Sequence, residues 1–241
     1  MEQSRAIVLN KINYSESSLI LKIYTEQEGL LSFIVKGIRG KKGKLRLAQF
    51  QSLNLLEIDY KSSGKSDLRY ITDLKITEPF SALLFDPIKR AVALFLAELI
   101  QNCIKEEEQN IELFLFLHQS IHWLDLSKDS CTHFHISFMM KLTKYLGFSP
   151  MENSENALCF DLQNGEFLTH NPMHNYIVIG EDLDGWIALL NCKYENLKDL
   201  HFSNKLKRNL VQALMDYYKL HLIHFKELNS QHILQLIFDD E

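Results

Sequence analysis

The stretch Leu19-Ile20-Leu21-Lys22-Ile23-Tyr24-Thr25-Glu26-Gln27-Glu28-Gly29-Leu30-Leu31-Ser32-Phe33-Ile34-Val35-Lys36 places two short apolar runs on either side of a polar turn that ends in glycine. Runs of this length, rich in Ile, Val, Leu, Phe and Tyr and bounded by turn formers, read as β-strands. Outward from it, the same texture covers Arg5 to Asn13, Phe50 to Tyr60 and Asp67 to Thr77. Together with Leu19 to Tyr24 and Leu30 to Ile38, that makes five strands before residue 80.

Strands that follow one another without intervening helices pair largely antiparallel. The economical five-stranded closure is a small barrel of oligonucleotide-binding (OB) type, or an SH3-like one. After Pro79 the period changes: Val92, Leu94, Phe95, Leu96, Leu99, Ile100 and Cys103 recur at helical spacing. This predicts helices over 87–106, 110–126 and 131–146, the last stopped by Gly147 with Pro150 behind it. Residues 148–180 are an irregular subregion, where Asn164-Gly165 between Cys159-Phe160 and Phe167-Leu168 predicts a two-residue hairpin turn. Helical pattern returns at 183–191 and at 203–226, with Ser203 as N-cap and Leu206, Leu210, Val211, Leu214, Tyr217, Tyr218 and Leu222 as the apolar stripe. A last short helix is expected from Ser230 to Phe238. The expected fold class is α+β, with a five-stranded OB-type barrel at 1–79 and a mainly α-helical domain at 80–241.

The composition of this 241-residue chain, 46% hydrophobic and 24% charged with 15 Phe and 9 Tyr, supports a full core and excludes wholesale disorder. No run approaches the roughly 18–20 charge-free apolar residues that span a bilayer, and Met1-Glu2-Gln3-Ser4-Arg5 lacks the features of a signal peptide, so a cytoplasmic location is expected. Cys103, Cys131, Cys159 and Cys192 form no Cys-x-x-Cys pair, which excludes a zinc ribbon or a thioredoxin-type motif.

The net charge of −5 hides an asymmetry. Residues 1–80 carry 13 Lys and Arg against 9 Asp and Glu, a net of +4, whereas the rest of the chain nets −9. The segment Lys36-Gly37-Ile38-Arg39-Gly40-Lys41-Lys42-Gly43-Lys44-Leu45-Arg46 gathers six cations and three glycines. Glycines let backbone lie close to a ligand and Lys and Arg donate to phosphate oxygens, so Lys36, Arg39, Lys41, Lys42, Lys44 and Arg46 are the candidate DNA-binding residues. The spacing does not match a P-loop. Tyr14, Tyr24, Tyr60 and Tyr70 are candidate platforms for base stacking.

Histidine pairs at 118 and 122, 133 and 135, and 170 and 174 lack a full ligand set. The acidic loop at 181–185 has Lys193 where an EF-hand needs a bidentate Glu. No metal or cofactor is expected. No nucleophile elbow, Walker lysine, dinucleotide fingerprint or spaced carboxylate set is present, which moves the weight from catalysis to binding.

The order and spacing of Arg5-Ala6-Ile7-Val8-Leu9, Tyr14-Ser15-Glu16-Ser17-Ser18-Leu19-Ile20-Leu21, Tyr24-Thr25-Glu26-Gln27-Glu28-Gly29 and Val35-Lys36-Gly37-Ile38-Arg39 resemble the bacterial recombination mediator family RecO. Leu142-Thr143-Lys144-Tyr145-Leu146-Gly147-Phe148-Ser149-Pro150 is similar to that family's segment before its zinc module, and Tyr217-Tyr218-Lys219-Leu220-His221-Leu222 to its last long helix. The resemblance implies an OB barrel, a helical domain and a non-enzymatic role. That role is to bind single- and double-stranded DNA, anneal complementary strands and act with RecR to load RecA on strands coated by single-stranded-DNA-binding protein (SSB), with RecF as a further partner. Many members carry four zinc-binding cysteines after the Gly-Phe-x-Pro phrase. This chain has only Cys159 and Cys192 there, so the module is expected to be degenerate and metal-free, with His170 and His174 as the alternative donors.

A short acidic and apolar SSB tail needs a fixed groove with a cation or two, and Lys205, Lys207 and Arg208 in the helical domain are the candidates. Two rival readings stand beside the mediator. One is an OB-fold protein-interaction adaptor that does not bind DNA, and the other is a DNA-modifying enzyme with an unrecognised site.

Overall fold

The computed structural model describes residues 2–15, 18–36, 45–62, 68–105, 108–128, 131–151, 156–230 and 232. The chain divides into two compact units, Met1–Leu126 and Ser127–Glu241.

The first unit opens with β1 (Glu2–Ser15), β2 (Ser18–Thr25), β3 (Gly29–Lys36), β4 (Leu55–Ser62) and β5 (Leu68–Ile76), which close a barrel in the order β1-β2-β3-β5-β4. Every pairing is antiparallel except β3 with β5, where Ser32, Phe33 and Ile34 face Leu68, Arg69 and Tyr70 in parallel register. This is the five-stranded OB-type barrel expected from the sequence. Alternate residues point inward: Leu19, Leu21 and Ile23 from β2 and Leu31, Phe33 and Val35 from β3 meet Ile58, Tyr60 and Ile71 in one core. At the polar turn between β2 and β3, Thr25 Oγ1 donates to Gly29 O at 2.9 Å, and Gly29 takes a left-handed φ of 73°.

The expected strand from Phe50 does not form there. Leu47–Phe50 is a 3-10 helix, Leu53 has φ 67°, and Asn54 Nδ2 donates to Ala48 O at 3.3 Å and Gln49 O at 2.9 Å. These local bonds satisfy the turn, and extended pairing starts only at Leu55.

Two helices complete the unit, α1 (Pro87–Cys103) and α2 (Ile111–Leu126). Asp86 caps α1 by accepting from Ile88 N at 2.8 Å and Lys89 N at 3.1 Å, with Pro87 at N1, where its missing N–H costs nothing. α1 packs against β1, and Phe114 of α2 stacks on Tyr24 with ring centroids 6.2 Å apart. The Asp125 carboxylate at the end of α2 fastens the segment that leads into α1, accepting from Ser81 N, Ser81 Oγ, Ala82 N and Leu83 N.

The second unit holds α3 (Phe134–Tyr145), a three-stranded antiparallel sheet of order β7-β6-β8, α4 (Gly180–Asn191) and α5 (Asn204–His221). The strands are β6 (Cys159–Asp161), β7 (Glu166–Leu168) and β8 (Ile177–Ile179). α3 starts three residues later than expected and is stopped by Gly147 just beyond its cap, with φ 85° and Phe148 N bonded to Thr143 O at 3.1 Å, a Schellman motif.

The expected two-residue turn at Asn164-Gly165 is a four-residue turn, because Asp161 pairs with Glu166 and the Asp161 carboxylate accepts from Gln163 N. β8 has no counterpart in the sequence reading. α4 begins at Gly180 rather than 183. α5 ends at His221 because Leu222 turns extended; Phe225, which continues the apolar period, instead folds back to lie 5.2 Å from the Tyr218 ring. The helix expected over 230–238 falls outside the described residues apart from 230 and 232. Among the described residues, no helix is long and apolar enough to cross a membrane.

Candidate nucleic-acid interface

In a sheet, residues directly opposite on neighbouring strands share a face, so the barrel register identifies which outward side chains are neighbours. Ile12 faces Ile20, Ile20 faces Ile34, Ile34 faces Tyr70 and Tyr70 faces Lys61, one row across five strands. Beside it run Asn10, Lys22, Ser32 and Leu68, and at the other side Ser18 faces Lys36. None of these belongs to the inward set.

The outward row therefore joins an exposed Ile12 and Tyr70 through a half-buried Ile20 and an Ile34 that is only 7% exposed, with Lys22 and Lys36 at its two sides. Ile12 is 53% exposed, Tyr70 39% and Tyr14, at the tip of β1, 64%. Lys36 Nζ lies 5.4 Å from the centre of the Tyr70 ring, and Lys22 Nζ donates to Ser32 Oγ at 2.7 Å. Apolar contact, an open ring and separated cations are the parts that hold unpaired bases and their phosphates.

Lys36 and Tyr70 are neighbours on this face, while Tyr14 lies on β1 at the register shift between Asn13 and Ser15. Arg46 sits at the N-cap of the 3-10 helix, its backbone N donating to Gln49 Oε1 at 2.6 Å. Arg39, Lys41, Lys42 and Lys44 lie outside the described residues.

Tyr24 and Tyr60 are placed otherwise and offer no ring face to a base, each being 1% exposed. Tyr24 points outward but lies beneath Phe114. Tyr60 points into the barrel, edge-on to Phe33 at 5.4 Å, and donates its hydroxyl to Glu28 Oε1 at 2.5 Å. Burial and the Glu28 carboxylate push the Tyr60 phenol up from its ordinary pKa. Although burial opposes the charge of Glu28, bonds from Arg69 and Tyr60 hold that carboxyl below the usual range. This polar cluster ties Tyr60 to Glu28 and Arg69 and leaves its ring in a structural role.

Ile12, Ile20, Ile34, Lys22 and Lys61 were not singled out by sequence reasoning. The available signal was the apolar Ile20 and Ile34 in the outward phase, where polar residues are the norm for a surface strand. Lys205 and Arg208 are exposed on α5 and Lys207 is half-buried. Lys205 lines a cavity of about 160 Å³ with Glu181 and Asp182, and Asn209 Nδ2 donates to both Asp182 oxygens at 3.0 Å, so this surface is mixed in charge.

Among the described residues after Gly147, the two cysteines do not fit a zinc site. The Cys159 thiol donates to His170 O at 3.3 Å and the Cys192 thiol to Lys193 O at 3.2 Å, and burial pushes both up from the ordinary thiol pKa, away from the thiolate a metal needs. Asp161 is occupied by Gln163 N, Asn164 and His174, whose Nε2 lies 3.4 Å away. The hydrogen-bonded Asp161 carboxylate organises this turn. His118 and His122 flank Glu78, at 3.6 and 2.6 Å, and among the described residues no group of three or more His, Cys, Asp or Glu is arranged to hold a metal ion.

Residues 1–80 match the family model described as Recombination protein O N terminal, and residues 84–230 match Recombination protein O C terminal. The chain is similar to proteins named DNA repair protein RecO. It is 34% identical to that of Christiangramia forsetii over 236 residues, covering 98% of each chain. Identity is 34% to that of Phocaeicola vulgatus over 240 residues, 99% of each chain. For that of Bacteroides fragilis it is 32% over 241 residues, 99% of this chain and 100% of the relative.

Proposed function

The chain belongs to the RecO family, and from that premise we propose that it is a non-enzymatic mediator of DNA repair and recombination whose barrel holds single-stranded DNA on its outer face. The observation that supports this best is the cross-strand row from Ile12 to Tyr70, with Lys36 over the ring and Lys22 and Lys61 at its borders. Bases lie on the exposed Ile12, Tyr70 and Tyr14, and phosphates are met by the border lysines and by the segment Lys36–Arg46, which brings Arg39, Lys41, Lys42, Lys44 and Arg46. A surface that reads backbone and ring faces takes any sequence, which is what pairing of complementary strands requires, and the same cations contact duplex DNA.

In this reading residues 1–79 are the DNA-binding domain and residues 80–241 serve partner proteins. With RecR, and RecF where it takes part, the protein loads RecA on SSB-coated strands, and Lys205, Lys207 and Arg208 contact the SSB tail. Anisotropy with a fluorescein-labelled oligo-dT tests the assignment. Tyr70→Ala is expected to weaken binding by about fivefold to a hundredfold, the range for loss of a stacked ring, and Lys22→Ala by about fourfold, the loss of one phosphate contact. Wild-type affinity in both variants, or no binding by the wild type, returns the barrel to the adaptor reading. DNA cleavage that follows the protein through purification supports the enzyme.

A further inference from the structure

β1 runs past one of its two partners. Glu2–Ile7 pair with β4 on one side and Ala6–Ser15 with β2 on the other, so among the described residues Asn10–Ser15 are laddered along one edge alone. On the open side the last contacts are at Val8, which donates to Asn54 O at 3.1 Å and accepts from Leu53 N at 2.6 Å. Lys11, Ile12, Asn13, Tyr14 and Ser15 beyond it are all exposed.

Strand parity fixes which peptide groups face that open edge. Arg5 O accepts from Glu26 N, so Arg5 and, by alternation, Ile7 are directed at β2, while Val8 is directed away from it. Tyr24, opposite Ile7, then faces β1, as do Lys22 and Ile20 two and four residues before it. Their partners Asn10 and Ile12 spend their backbone groups on β2, which leaves the N–H and C=O of Lys11 and Asn13 pointing outward from the sheet edge. The Lys11 N–H accordingly donates to the neighbouring Asn10 Oδ1, at 2.7 Å. A row of outward N–H and C=O groups on an exposed strand is a template for another strand.

We propose that this edge pairs with the same edge of a second copy of the chain, antiparallel, about a two-fold axis at Ile12. Lys11 of each copy then opposes Asn13 of the other, and both pairs exchange their edge-directed N–H and C=O groups. Ile12, 53% exposed in the single chain, meets its own counterpart across the axis, and no like charges stand directly opposite each other. The segment suits a second copy because Lys11-Ile12-Asn13 reads polar, apolar, polar from either end, so one register matches both strands at once. An axis at Asn13 does less: it sets Lys11 against Ser15, which lies beyond a register shift and pairs with Ser18 of β2. The shifts at Val8/Asn10 and Asn13/Ser15 also bound the pairable stretch, so the contact closes on two copies and does not propagate.

Such an axis is normal to the sheet, so the outward row of Ile12, Ile20, Ile34 and Tyr70 continues from one copy into the other. Rotation about it reverses every direction in the plane of the sheet. Strands held alike by the two copies therefore run antiparallel, the orientation in which complementary strands pair. This consequence rests on the DNA reading of the barrel face, whereas the pairing of the edges does not.

Sedimentation velocity of the full-length protein at increasing concentration tests the pairing, and a reversible shift from monomer to dimer is expected. Asn13→Pro should abolish the dimer, because it removes an edge-directed N–H while leaving the β2 ladder intact. It should keep wild-type affinity for oligo-dT and slow the annealing of complementary oligonucleotides. The register is read by Ile12→Cys, whose thiol should link to its own counterpart under oxidised glutathione. Directly opposed residues at a non-hydrogen-bonded position bring their Cα atoms to about 4.5 Å, within disulfide reach. Asn13→Cys should stay reduced, since its counterpart lies two residues along the strand, and the native cysteines Cys103, Cys131, Cys159 and Cys192 are buried. Should Asn13→Pro melt early, Ile12→Lys carries the same test by setting two ammonium groups across the axis. A wild type that stays monomeric at every concentration overturns the proposal. So does a dimer that survives in both Asn13→Pro and Ile12→Lys, or one that cross-links through Asn13→Cys and not through Ile12→Cys. Tyr70→Ala is expected to dimerise normally, and a dimer that binds no oligo-dT upholds the pairing while removing the DNA reading, which separates the two failures.

Discussion

Asp125 and Ser81, 44 residues apart, are joined twice: one carboxylate oxygen accepts from both the backbone N and the hydroxyl of Ser81, each at 2.9 Å. The other oxygen takes Ala82 N at 2.9 Å and Leu83 N at 2.7 Å, while Lys89 Nζ donates to the Asp125 carbonyl at 2.9 Å. One side chain thereby ties the connection after the barrel to the end of α2. Burial opposes its charge, yet these donors hold Asp125 below the usual carboxylate range.

Asp125→Ala leaves several N–H groups without an acceptor at a site where Asp125 itself is 5% exposed, and should cost about 3 kcal/mol of unit stability. Urea unfolding at neutral pH measures it. Because the native pKa is depressed, the contribution is full above the unfolded value of about 3.9 and is lost as pH falls through the lower native value. The gap between wild type and Asp125→Ala should therefore shrink only in acid below about pH 4. A gap of less than about 1 kcal/mol at neutral pH would mean that water replaces the carboxylate without penalty.

A second acid response is expected in the other unit. His135 on α3 is buried, and burial first, then the nearby His133 and Lys207, pushes it down to about 3. Burial first, then Lys207 and His201, brings His133 down to about 4, against a bond to the Leu197 backbone. Both are neutral in the folded state while the unfolded histidine protonates near pH 6.5, so protons favour the unfolded chain as pH falls. Stability should be level above about pH 7 and decline below about pH 6 by as much as 1.4 kcal/mol per pH unit for each histidine. His135→Gln should remove one such increment from the slope, measured as the urea midpoint between about pH 7 and pH 5. An unchanged slope would mean that His135 gains a solvated proton without unfolding.

The barrel was legible because its inward set obeys a strict alternation: Leu19, Leu21 and Ile23, then Leu31, Phe33 and Val35. What alternation does not encode is register. Ile12, Ile20, Ile34 and Tyr70 become neighbours only through pairings with β1, β3 and β5, and no local pattern states that β5 lies parallel to β3. The same gap explains the tyrosines. Tyr24 has the outward phase of a surface residue but is covered by Phe114, some 90 positions later, and Tyr60 finds its acceptor on Glu28, 32 positions earlier. In the second unit the lack of any Cys-x-x-Cys pair was plain in the sequence. The hydrogen bonds gathered by the Asp161 carboxylate were not, since they depend on a turn closed by β6 pairing with both β7 and β8.

The hydrogen bonds of the two thiols bear directly on metal dependence. With Cys159 and Cys192 both donating to backbone carbonyls, the protein should purify with sub-stoichiometric zinc by elemental analysis, and a chelator should leave its melting temperature unchanged. Stoichiometric zinc that disappears in the Cys159→Ser, Cys192→Ser double variant would reverse the assignment and bring His170 and His174 in as ligands.

The last expectation concerns the segment Lys36–Arg46, which follows β3, where Lys36 Nζ lies 5.4 Å from the centre of the Tyr70 ring. Cations that neutralise phosphates release counterions, and this term is independent of base sequence. If about five phosphates are contacted on a single strand, log K should fall with log salt at a slope of roughly −3.5. Affinity then drops about a hundredfold between ~50 and ~200 mM salt. Replacing Lys41, Lys42 and Lys44 together by Ala should flatten that slope by about two units and weaken binding alike for oligo-dT and mixed-sequence strands. Stability should be little affected, since loop charges of this kind usually contribute under about 0.5 kcal/mol. Tyr70→Ala, by contrast, should lower affinity with the salt slope intact, because a stacked base releases no counterion. If the triple lysine variant keeps both slope and affinity while Tyr70→Ala loses binding, the phosphates are met by Lys22, Lys36 and Lys61 on the barrel wall and the loop lies off the DNA path.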